Sequence, residues 1–113
     1  MSYEYRLVFD EPLGARQVMD KLRASADCVR AADQVVEFKD PGLGSRADHD
    51  LRLTLESDQA LWMELLFRTA ALHDCLEPAL RGRRFRCLED GDSDDEVALE
   101  QVFALGRTLP IFP

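Results

Sequence analysis

The sequence predicts an α+β fold: a ferredoxin-like β-α-β-β-α-β two-layer sandwich with an added C-terminal helix, in one domain spanning residues 1–113. Three observations carry that expectation. Tyr3, Tyr5, Leu7 and Phe9 alternate with polar neighbours, as on a strand with one buried face; Ala15, Val18, Met19, Leu22 and Ala26 then recur at helical spacing. The same succession of strand-like and helix-like periods returns further along the chain. A chain of 113 residues buries one shared core rather than two, and 46% hydrophobic with 32% charged residues suits a folded domain, not a disordered chain.

Each element has a local reason. Asp10-Glu11-Pro12 offers a side-chain acceptor and a preset φ, so a first helix is expected from about Pro12 to Ser25. Val35, Val36 and Phe38 form a short strand, with Cys28 as an earlier starting point and an irregularity around Ala31 to Asp33. Asp40 to Asp50, with Pro41, Gly42, Gly44 and Ser45, is a loop leading to a strand through Leu51, Leu53 and Leu55.

Ser57 to Leu80 admits two readings, because Leu61, Met63, Leu65 and Phe67 alternate like a strand. The helical reading is favoured: Leu61, Trp62, Leu65, Leu66, Thr69, Leu72, His73 and Leu76 share one face, Ser57 caps it, Glu64 pairs with Arg68, and Pro78 kinks or ends it. Arg84 to Leu88 is the last strand. Ser93 and Glu96 match a capping box for a final helix through Val97, Leu99, Val102, Phe103 and Leu105 to Gly106, and Thr108 to Pro113 is an apolar tail. No internal repeat, low-complexity tract or linker interrupts this order.

The most pronounced local feature is the run Glu89 to Glu96, in which Glu89, Asp90, Asp92, Asp94, Asp95 and Glu96 are acidic. Asp90, Asp92 and Asp94 match the first three ligand positions of an EF-hand loop, but Asp95 replaces the required glycine and Gln101 the closing glutamate, so no metal or other cofactor is expected. Acids before a helix also suit the positive end of its dipole. Arg81, Arg83, Arg84 and Arg86 around Phe85 offer a basic patch, yet one aromatic and a net charge of −8 argue against nucleic acid. An RNA-reading sheet would need exposed aromatics on its central strands. Tyr3 and Tyr5 share a face with Leu7 and Phe9, and Leu51 to Glu56 holds no aromatic.

Catalytic candidates are sparse. Asp48-His49-Asp50 places an imidazole among carboxylates, and His73 precedes Asp74 and Cys75, but no motif joins either to a nucleophile. Gly42-Leu43-Gly44 lacks a phosphate-cradling spacing. Cys28, Cys75 and Cys87 form an odd set without CxxC spacing, which fits a reducing cytoplasm; Ala60 to Phe67, broken by Glu64, is too short to cross a membrane, and the first residues lack the pattern of a secretory signal.

The expectation is a non-enzymatic acidic module whose carboxylates at 89–96 bind a basic protein, as an immunity-type inhibitor or chaperone of a toxin or effector does. An exposed sheet edge or the apolar tail leaves room for a homodimer. The competing expectation is a small dimeric ferredoxin-like enzyme or ligand-binding domain, with His49, Trp62 and His73 around a pocket between sheet and helices.

Overall fold

The structure, a computed structural model, describes residues 2–103. Within them, β1 (Tyr3–Phe9), β2 (Cys28–Ala32), β3 (Val35–Phe38), β4 (Leu51–Ser57), β5 (Ala60–Leu65), β6 (Phe85–Glu89) and β7 (Glu96–Val97) form one seven-stranded sheet, accompanied by α1 (Gly14–Arg23), α2 (Ala70–Leu80) and α3 (Leu99–Val102). The spatial order is β2-β3-β4-β5-β1-β6-β7, and every neighbouring pair is antiparallel.

This corrects the predicted ferredoxin-like β-α-β-β-α-β sandwich. The molecule is strand-rich, with β2 to β5 running as a continuous meander before the chain returns beside β1. Two segments cause the difference. Asp33 and Gln34 form a two-residue turn, with Ala32 opposite Val35, so the irregularity near Ala31 is the tip of a hairpin. Ser57 to Leu80 is not one helix: its first part is β5, and α2 starts at Ala70.

Tertiary pairing decides the second case. Placing 60–65 as a strand gives its backbone partners on both sides, Leu61 lying opposite both Leu7 and Leu55, and Met63 opposite both Tyr5 and Leu53. A helix there would leave β1 and β4 with unpaired edges in the middle of the molecule. Leu61, Met63 and Leu65 accordingly point into the core, fully buried. Ser57, expected as a helix cap, ends β4 and its hydroxyl accepts from the Gln59 amide at the hairpin turn. Glu64 and Arg68 do not form the expected pair. Glu64 faces Arg52 at 4.0 Å, and the Arg68 guanidinium lies 3.8 Å from the centre of the Tyr3 ring.

The helices sit where the apolar stripes dictate. Val18, Met19 and Leu22 of α1 and Leu72 and Leu76 of α2 close over Leu7, Leu53, Met63 and Leu65 of the sheet. Each such side chain contributes about 1.5–3 kcal/mol on burial. The start of α1 lies two residues beyond the predicted one, with Leu13 at the N-cap and no side-chain cap. Gly14 is required at this point, since a Cβ there would stand 2.7 Å from the Cβ of Phe9. For α2 the cap is Thr69, whose hydroxyl accepts from Leu72 N. Pro78 falls in the last turn of α2, so the helix still reaches Leu80.

The predicted capping box is also redistributed. Ser93 lies in a turn, Glu96 pairs with Leu88 in β7, and the final helix starts at Leu99, where the Ala98 amide donates to Gln101 Oε1. The expected continuation to Gly106 and the apolar tail Thr108 to Pro113 lie outside the described residues. Among the described residues no helix is long and apolar enough to cross a membrane.

Candidate functional site

The acidic run is the tip of the β6–β7 hairpin rather than the approach to a helix. Glu89 ends β6 and Glu96 begins β7. Between them Asp90 N donates to Glu4 O of β1, Glu89 N to Asp95 O, Asp92 N to Glu89 O, and Asp95 N to Asp92 O. The Asp94 amide donates to Asp92 Oδ1 at 2.9 Å. Left-handed backbone at Asp90 (φ 53°) and Gly91 (φ 76°) reverses the chain. Main-chain hydrogen bonds thus hold the turn, and the carboxylates are left outside.

What lies beneath the turn is a set of residues that sequence reasoning did not bring together. Gly91 sits against Arg6 and Trp62 so closely that a Cβ would be 2.9 Å from Arg6 Nη1 and 3.0 Å from Trp62 Cζ3. Arg6 Nη1 donates to Gly91 O at 3.3 Å, and its Nε forms a 2.7 Å ion pair with Glu56. The guanidinium also lies 5.1 Å from the centre of the Trp62 ring, whose Nε1 donates to Glu4 Oε1 at 3.0 Å. Had the alternation of Leu61, Met63 and Leu65 been read as a strand, it would have put Trp62 and Glu64 on the opposite face.

Of the six predicted partner-binding acids, Glu96 is ion-paired, with Arg86 at 3.2 Å, and Glu89 lines a separate hollow with Tyr5 and Arg68. Asp90, Asp92, Asp94 and Asp95 are exposed and have no ion-pair partner among the described residues. Nor do three or more His, Cys, Asp or Glu side chains gather there as metal ligands among the described residues. Three of the four clustered arginines, all but Arg84, are dispersed into separate pairs. Arg81 binds Glu77, Arg83 binds Glu11 and Gln17, Arg86 binds Glu96 and Ser93 O, and Phe85 packs against Phe9.

The catalytic candidates separate in the same way. His49 turns its Nδ1 toward Glu37 Oε2 at 3.5 Å, while Asp50 is buried and accepts from the Asp40 amide. The carboxylate facing the imidazole is therefore Glu37, not either neighbour in the triplet. Although burial opposes ionisation of Glu37, the hydrogen bond from Arg52 and the charges of His49, Arg52 and Arg30 outweigh it and hold the carboxyl below its usual range.

His73 and Cys87 do line one open hollow, with Glu77 and Glu96, between α2 and the β6–β7 hairpin. The Cys87 thiol is pushed up to about 12, chiefly by burial and further by Glu96 and Glu89, and Cys75 to about 11, chiefly by burial with Asp27, Asp40 and Asp74 adding to it. Both remain protonated at neutral pH, the opposite of an activated nucleophile. His49, Trp62 and His73, grouped in the competing expectation, line three different hollows. Comparison with protein-family models, with curated proteins and with solved structures finds no match.

Proposed function

We propose that this chain is a non-enzymatic interaction module that binds a basic protein through the β6–β7 turn, acting as an immunity-type inhibitor or chaperone of a toxin or effector in the cytoplasm. The observation that carries the reading is the state of Asp90, Asp92, Asp94 and Asp95: exposed, without ion-pair partners among the described residues, and mounted on a turn anchored to β1 and packed on Trp62. A rigid array of like charges keeps its field without an ordering cost at binding, and it speeds encounter with a surface of opposite sign. The net charge of −8 reinforces this, and the three free thiols, Cys28, Cys75 and Cys87, support a reducing compartment.

The test is capture of the partner from the native host with the tagged full chain, followed by titration of the purified pair. Replacing Asp90, Asp92, Asp94 and Asp95 together by Asn is expected to weaken binding at least about tenfold, and raising salt to about 0.5 M to weaken the parent complex comparably. Binding that ignores both changes refutes the acidic-turn mechanism.

A further inference from the structure

All three helices pack on one side of the sheet; on the other, among the described residues, the β6–β7 turn rests on Arg6 and Trp62 and His49 lies against Glu37, with open ground between them. Trp62 stands near the middle of that second side, directly across from Thr54 of β4. Because Thr54 is small where its neighbour is large, a hollow of about 410 Å³ opens there, walled by Arg6, Thr54, Glu56, Trp62 and Glu64.

We infer that this sheet face, centred on Trp62 and Thr54, seats an arginine- or lysine-bearing segment of the basic partner, extending the contact inward from the acidic turn. The inference rests on the acidic-module reading and names where the partner lies. Charge selects the occupant. Glu56 and Glu64 stand at the hollow and Glu4 beside Trp62, three carboxylates against Arg6 and Arg52 as the nearby cations. A second copy of the chain would present the same excess of carboxylates and be repelled, as would a phosphate backbone.

The molecule already displays the recognition chemistry. Arg6 lies over the indole while bonded to Glu56, and an incoming guanidinium between Trp62 and Glu64 would repeat that combination of aromatic face and carboxylate. Tryptophan held rigidly by its own hydrogen bond, here to Glu4, is also the residue type most often found at the energetic centre of an interface.

Trp62 is the single tryptophan of the chain, so its emission reports on this face alone. Titration of the full chain with an oligoarginine peptide should shift that emission saturably, and added salt should reverse the shift. Thr54→Arg, which fills the hollow with a like charge on an outward position, should weaken peptide binding about tenfold with the circular dichroism unchanged, whereas Thr54→Ser should bind as the parent does. Binding that leaves Trp62 emission unaltered and is indifferent to Thr54→Arg overturns this inference while the acidic-turn reading stands. Absence of any salt-sensitive binding, to oligoarginine and to the captured partner alike, defeats both. A chain that sediments as a dimer and becomes monomeric on Thr54→Arg would assign the face to a second copy and likewise overturn the proposal.

Discussion

Gly91 ties the acidic turn to the sheet, and its replacement separates backbone strain from surface chemistry. Alanine there takes on φ 76° and drives a Cβ to 3.0 Å from the Trp62 ring; at Gly44 it takes on φ 60° with nothing within 4 Å. Gly44→Ala is therefore expected to cost about 1 kcal/mol, and Gly91→Ala about 2–3 kcal/mol with a change in Trp62 fluorescence, both read by urea unfolding. Equal midpoints for the two would mean that the turn does not rest on Trp62. Glu37 poses a question of sign. Its carboxyl is 3% exposed and is held below the usual carboxylate range, so ionised Glu37 favours the native state at neutral pH; that contribution is lost as pH falls through the depressed native value. Glu37→Gln should cost about 2 kcal/mol at pH 7 and progressively less toward pH 3, because the parent then loses the same interaction. Arg30, 62% exposed, adds little to this sum, and a penalty independent of pH would show that packing rather than charge holds the cluster.

At the level of elements, β5 is the decisive correction, and Met63 distinguishes the two accounts of it. On the helical face expected from sequence, Leu61, Trp62 and Leu65 point inward and Met63 does not. In the strand, Met63 is fully buried between β1 and β4, and Trp62 faces outward. Met63→Ala should thus cost about 2–5 kcal/mol in chemical denaturation, whereas a loss under about 0.5 kcal/mol would restore the helix. The reason the chain itself did not settle this lies in its composition. Leu, Met, Ala and Glu at 60–65 are good helix formers, and it is the vacancy between β1 and β4, created by residues far away in sequence, that makes a strand of them. Elements with a strong local signature were legible. The alternation gives β1 and buries Tyr5, Leu7 and Phe9, though Tyr3, expected on the same face, is 45% exposed; the stripe of Ala15, Val18, Met19 and Leu22 gives α1, which ends before the expected Ala26. The acidic run was legible as composition but not as shape, because Glu96 belongs to a strand whose pairing with Leu88 no local pattern announces.

For the molecule as a whole, the charge that serves binding works against compactness. Asp90 to Asp95 concentrates carboxylates within one turn of a chain whose net charge is already −8, and the fold supplies them with main-chain geometry but no ion-pair partner among the described residues. Replacing Asp90, Asp92, Asp94 and Asp95 by Asn halves the net charge while preserving the Asp92 oxygen that accepts from Asp94 N, and Asn is well suited to the left-handed backbone at position 90. The fourfold variant is therefore expected to be more stable than the parent by about 1 kcal/mol at low ionic strength, even as it loses its basic partner. Salt separates the causes. Screening shortens the reach of surface charges from about 30 Å at 0.01 M to about 3 Å at 1 M, so the stability gap should close as salt is added. A gap that persists at 1 M would trace the gain to backbone preference at Asp90 alone, and a variant less stable than the parent would show that these carboxylates are structural ligands of the turn rather than a surface kept open for a partner. Stability gained where binding is lost is the signature that distinguishes a site maintained for function from a run of charge serving solubility.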